Sequence, residues 1–134
     1  MLDARELLER GINVGLGTDM SGGYSPSMYN ALRNTIIASV TVSETRKGKQ
    51  EPLSYEEAFY MATEGGAKTL GVGDKVGNFK EGLFFNAQVL DPFAPNSPFD
   101  TLQGQDSRQL LQKLLFLSDD RNISSVFVKG RKVV

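Results

Sequence analysis

The spacing of apolar and polar positions changes along this chain, and each change predicts a different element. Leu2, Leu7 and Leu8 share a broad apolar face of an opening helical segment, and Gly11 offers its stop. Across Val14, Gly15, Leu16 and Gly17 no polar and apolar alternation remains, which predicts a strand covered on both faces, as in a parallel sheet. Its two glycines permit close approach of neighbouring groups. The strand runs into Asp19 and then into the Gly22-Gly23 turn. Ser25 and Pro26 then predict the cap and first position of a helix on which Met28, Leu32, Ile36 and Val40 recur at every fourth position. Thr45 to Pro52 is polar and reads as a surface loop. Ser54-Tyr55-Glu56-Glu57 is a capping box, opening a helix with Ala58, Met61, Ala62 and Gly65 on one face and an end at Gly71 and Gly73.

The pattern shifts at about Gly77. Phe84 to Leu90 reads as a strand, closed by Asp91-Pro92 and a loop punctuated by Pro95 and Pro98. A helix is predicted between Asp106 and Leu117, with Leu110, Leu111, Leu114 and Leu115 as its core stripe. Ser125 to Val134 reads as a β-hairpin turning at Lys129-Gly130. The order predicts an α/β chain: the tail of an α/β unit over residues 1–76, then a piece of a β domain over residues 77–134.

Composition narrows the chemistry. With 134 residues and 40% hydrophobic content the chain is long enough for a real core. A net charge of -1 creates no field that would gather nucleic acid, and Arg46-Lys47-Gly48-Lys49 reads as a solvated connector. Met1 to Arg10 is charged throughout, so neither a signal peptide nor a membrane span is expected there. The absence of cysteine excludes a disulfide scaffold and suits a reducing compartment, so the expectation is a soluble cytoplasmic protein with no membrane partner. Histidine is absent as well. A catalytic metal site of the usual nitrogen- or sulfur-ligated kind cannot be assembled from these residues alone.

Asp19 is the residue on which a functional reading turns. A carboxylate at a strand end is either a turn former or helix cap, or a group delivered to a site as a metal ligand or proton acceptor. Gly22 and Gly23 meet backbone requirements of the loop. Tyr24 and Ser25 could face a pocket, with a capping role the stronger reading for Ser25. Asp119-Asp120-Arg121 reads as a local salt-bridged turn before the hairpin rather than an acidic site.

Gly15-Leu16-Gly17-Thr18-Asp19 followed by Gly22-Gly23-Tyr24-Ser25 resembles the last barrel strand and loop of the amidohydrolase superfamily, and within it the guanine deaminase family. Ala62-Thr63, Gly65-Gly66-Ala67 and Leu70-Gly71 are similar to the helix that follows the barrel. Val76-Gly77-Asn78-Phe79 with Gly82 resembles the entry to the small β-sandwich. Leu117 and Asp119 to Ile123, ahead of Val126, Val128 and Gly130, resemble the end of these enzymes. Asn86 stands where relatives carry an aspartate, a change read as structural.

The resemblance implies the C-terminal part of a (β/α)8 TIM-barrel amidohydrolase plus part of its small β-sandwich domain. Its activity would be zinc-dependent hydrolytic deamination of guanine to xanthine and ammonia at the C-terminal mouth of the barrel. By that resemblance Asp19 binds the Zn2+, accepts a proton from water and contacts the substrate. The histidine ligands, the glutamate acid and the groups that hold guanine would lie upstream of Met1. The chain alone is then expected to be inactive, and its partners would be guanine, the remainder of the enzyme chain and a second copy in a homodimer. The alternative is a truncated, non-catalytic homologue that acts as an interaction module through exposed strand edges.

Overall fold

The computed structural model describes residues 2–100, 102 and 104–134, so Met1 of the opening segment lies outside the described residues. The chain divides into two units, Met1–Asn78 and Phe79–Val134.

Among the described residues, four helices build the first unit: α1 (Ala4–Glu9), α2 (Met28–Thr45), α3 (Tyr55–Ala62) and α4 (Glu64–Thr69). Asp3 caps α1 by accepting the amide of Glu6, and its other carboxylate oxygen pairs with Arg46 at the far end of α2 at 2.6 Å. The Ser54–Glu57 capping box forms as expected at the start of α3. Glu57 carries a second duty there, because both its oxygens also receive the guanidinium of Arg5, at 2.5 and 2.7 Å. One fork thus ties α1 to the first turn of α3. Leu32, Leu53, Ala58, Met61 and Ala67 form the buried core of this unit.

Helix α2 starts later than the sequence suggests. Ser27 is the cap, accepting the amide of Asn30, while Ser25 accepts the amide of Ser27 one step earlier. Only part of the expected stripe is inside, since Met28 and Val40 are exposed. A strict four-residue repeat advances about 400° per step, so it winds off a straight inner face. The face that packs instead runs through Leu32, Ile36, Ser39 and Ser43. Its two serines turn their hydroxyls to backbone: Ser39 accepts the amide of Leu53, and Ser43 donates to the carbonyl of Gln50.

Two further expectations change in this unit. The helix after Ser54 is two helices, broken at Thr63, whose backbone sits at φ -124 and ψ -97. The break leaves the carbonyl of Met61 available to the amide of Leu16 at 3.2 Å. The segment Val14 to Gly17 lies against this junction but forms no strand. A strand exists through its ladder, and among the described residues of this unit nothing offers one. The close approach foreseen for its two glycines is present at Gly15, where a methyl group would stand 2.9 Å from the α-carbon of Gly66, and not at Gly17, which has open space beside it.

The second unit is a three-stranded antiparallel sheet, β1 (Ala87–Leu90), β2 (Ile123–Val128) and β3 (Arg131–Lys132), in the order β1-β2-β3, with helix α5 (Ser107–Leu117). Strand β1 is shorter than Phe84 to Leu90. The amide of Asn86 folds back onto the carbonyl of Phe84, and the carbonyl of Phe85 accepts the amide of Gly130, so this stretch serves the hairpin turn instead of the ladder. The hairpin turns at Lys129-Gly130 as expected, both with positive φ, +49° and +79°. Asn86 proves structural here, its side-chain oxygen accepting the amide of Lys129 at 2.8 Å. Asp106 and Gln109 make a capping box for α5, whose Leu114 and Leu115 are buried with Phe99.

Candidate functional site

Asp19 sits on the outside of a tight turn that its own carbonyl holds together. That oxygen accepts the amide of Gly22 at 2.9 Å and also the amide of Gly23. Two non-glycine residues of the turn, Asp19 at φ +48° and Ser21 at φ +92°, lie in the left-handed region. An aspartate tolerates that region; a serine there carries strain of about 1–3 kcal/mol. The glycines are fixed by contact. A methyl group on Gly22 would meet the Asp19 carboxylate, and one on Gly23 would run into the carbonyl oxygen of Thr18.

The carboxylate of Asp19 is exposed, and among the described residues it has no hydrogen-bond or ion-pair partner. This is the state of a group that is not a helix cap. The turn-former reading is nonetheless also visible, carried by the backbone of the same residue.

Tyr24 follows the turn. Its hydroxyl oxygen accepts the side-chain amides of Asn30 at 2.8 Å and Asn34 at 2.6 Å, neighbours one helical turn apart on α2. These donors, Asn30 foremost, hold the phenol below its usual pKa. Between the turn and α2 lies an open cavity of about 300 Å³, bounded by Gly17, Thr18, Tyr24, Asn34, Thr35 and Ala38 among others. Tyr24 and Ser25 therefore both line a pocket, and Ser25 also supports the approach to α2 by accepting the amide of Ser27. Sequence reading missed Asn30 and Asn34. Their spacing of four residues on a predicted helix, just after an exposed tyrosine, is the signal that could have found them.

As a metal site this surface supplies one donor. Among the described residues no group of three or more histidine, cysteine, aspartate or glutamate side chains could hold an ion, so the residues present do not fit a complete zinc centre. In the second unit, Asp119 caps the 3-10 turn Asp120–Asn122 and pairs with Arg121. That is the salt-bridged turn expected from Asp119-Asp120-Arg121. Asn122, fully buried, ends the turn by donating to the carbonyl of Asp91 and accepting from Ser97. Among the described residues no helix is long and apolar enough to cross a membrane.

The sequence pattern of the Amidohydrolase family matches residues 1–133. Guanine deaminase of Dictyostelium discoideum is 46% identical over 132 residues, which cover 98% of this chain and 29% of that protein. Guanine deaminase of Mus musculus is 40% identical over 138 residues, covering 100% of this chain and 30% of that protein. Among solved structures, the guanine deaminase of C. acetobutylicum with guanine bound in its active site superposes with a TM-score of 0.83 at 34% identity. It covers 100% of this chain and 30% of that one. The chain therefore spans about 30% of the length of the relatives it matches.

Proposed function

The chain belongs to the amidohydrolase family, and from that membership we propose that the polypeptide carrying it is a guanine deaminase, converting guanine and water to xanthine and ammonia. The observation that carries this reading is the likeness to guanine deaminases along nearly the whole chain, joined to an exposed aspartate without a partner on a glycine-rimmed turn. In this reading the first unit supplies the last barrel strand and its flanking helices, and the second supplies part of the small β-sandwich. The segment Val14 to Gly17, outside any ladder here, would gain one from barrel strands elsewhere in the polypeptide.

Asp19 is the residue of this chain that acts. Its Oδ atoms would provide one of the zinc ligands, receive the proton given up by the attacking water, and lie against the purine. Zinc, when bound, supplies a water acidic enough to be deprotonated near neutral pH. A carboxylate already held clear of internal partners needs no bond broken before it takes those roles. The same reading carries a homodimeric whole enzyme, a cytoplasmic location and a place in guanine breakdown.

The test is ammonia release from guanine by the natural full-length polypeptide with zinc, comparing Asp19 with Asp19→Ala. Equal turnover by the two would remove Asp19 from the chemistry, and no turnover by either would remove the activity. A stable native product of only this chain's mass would favour the non-catalytic module instead.

A further inference from the structure

Tyr24 is 82% exposed, so its ring gains little from burial, yet its tip is the best-held side-chain atom near the Asp19 turn. Two asparagine amides converge on one phenol oxygen, which orders three side chains at an entropic cost that surface residues normally avoid. Helix α2 does not require this arrangement. Its first turn is already capped by Ser27, which takes the backbone amide of Asn30 and leaves the Asn30 side chain for Tyr24. Packing does not set the distance from the turn to the helix either, because an open cavity of about 300 Å³ lies between them. Tyr24 spans that gap directly after Gly23, whose amide is bonded to the carbonyl of Asp19.

We propose that Tyr24 is a positioning residue: a strut, fastened to α2 by Asn30 and Asn34, that holds the Asp19 turn at a fixed height above the helix. This assignment rests on the reading of Asp19 as the acting group, but its geometric content stands apart from that reading. The strut acts through the backbone of Gly22 and Gly23 and touches no reacting atom. Tyr24→Phe keeps the ring and deletes the acceptor, and the two asparagines, lying at the surface, turn to water.

Amide hydrogen exchange and steady-state guanine turnover, both on the natural full-length polypeptide, test it together. Tyr24→Phe should speed exchange at Gly22 and Gly23 about tenfold and lower kcat about tenfold, with KM and Tm unchanged. Asn30→Ala with Asn34→Ala should reproduce both effects, and adding Tyr24→Phe to that pair should change nothing more. Unchanged exchange overturns the strut. A rise in KM with kcat retained also overturns it, because Tyr24 would then contact substrate directly. Asp19→Asn run in parallel separates the two readings: if it turns over guanine normally, the role of Asp19 falls while the exchange data still decide Tyr24.

Discussion

The Asp19 carboxylate lies over Gly22 so closely that a methyl group on the glycine would stand 2.7 Å from Oδ2 and 3.2 Å from Cγ. The carboxylate is the mobile partner in that contact. Gly22→Ala should therefore leave the fold standing and turn the acid aside. In the full-length polypeptide the expected result is a loss of guanine turnover of at least about tenfold with little change in melting temperature, since small misplacements of a reacting group are costly. Ammonia release beside a thermal melt measures both, and full activity in Gly22→Ala would show that the orientation of Asp19 is unimportant.

Gly15 presents the opposite case, because what a methyl group would strike is the α-carbon of Gly66, 2.9 Å away, and backbone cannot swing aside. Gly15→Ala is expected to destabilise the chain by about 1–3 kcal/mol, the usual range for overpacking. Urea unfolding read by circular dichroism gives the value. An unchanged midpoint would mean that the segment Val14 to Gly17 is free to lift off the α3–α4 junction.

Stability should fall in acid through Glu57. Burial opposes its ionisation, but the Arg5 guanidinium and the Ser54 amide outweigh that, and the carboxyl lies below its ordinary value of 4.5. A carboxyl depressed by folding stabilises the native state above its unfolded-state pKa, and the contribution is lost as pH falls through the folded-state value. The urea midpoint should therefore drop below about pH 4.5, and Glu57→Gln should flatten that drop while lowering the midpoint at neutral pH. Parallel pH profiles for the two proteins would exclude this pair as the cause.

Asn122 joins the 3-10 turn to the loop after β1 through bonds to Asp91 and Ser97, and closes the turn itself by accepting the amide of Asp119. Removing its side chain leaves the part-buried carbonyl of Asp91 and the hydroxyl of Ser97 without these partners. Asn122→Ala should cost about 2–4 kcal/mol, more than any single surface pair in this unit. Denaturant unfolding tests it, with Arg121→Ala, at an exposed ion pair, as the milder comparison.

Phe79 and Phe93 are each about three-quarters exposed, and Ile37, Met20 and Leu70 are also largely outside. Isolated at 134 residues, the chain is expected to associate as its concentration rises. Sedimentation velocity over a wide concentration range checks this; a single constant monomer coefficient would contradict it.

Local chemistry made much of this fold legible in the sequence. The Ser54–Glu57 box, the Lys129-Gly130 turn and the leucines of α5 are each decided by residues within a few positions of one another. Where expectation and structure part, the deciding partner is distant. The helix after Ser54 breaks at Thr63, where the carbonyl of Met61 is taken by Leu16, far away in sequence. Ser39 and Ser43 sit on an inner face because Leu53 and Gln50 offer backbone for their hydroxyls. Asp19 could be singled out by its place before two glycines, but the hold of Asn30 and Asn34 on Tyr24 required knowing how the chain returns over α2.

The bond from Leu16 to Met61 and the bonds from Gly22 and Gly23 to Asp19 together act as a ruler. Upstream the chain is pinned to a helix break; downstream it is closed on itself; Gly17 and Thr18 are the only slack between the two pins. A residue inserted or deleted there has nowhere to be absorbed, so the length of this short stretch is a fixed quantity of the molecule.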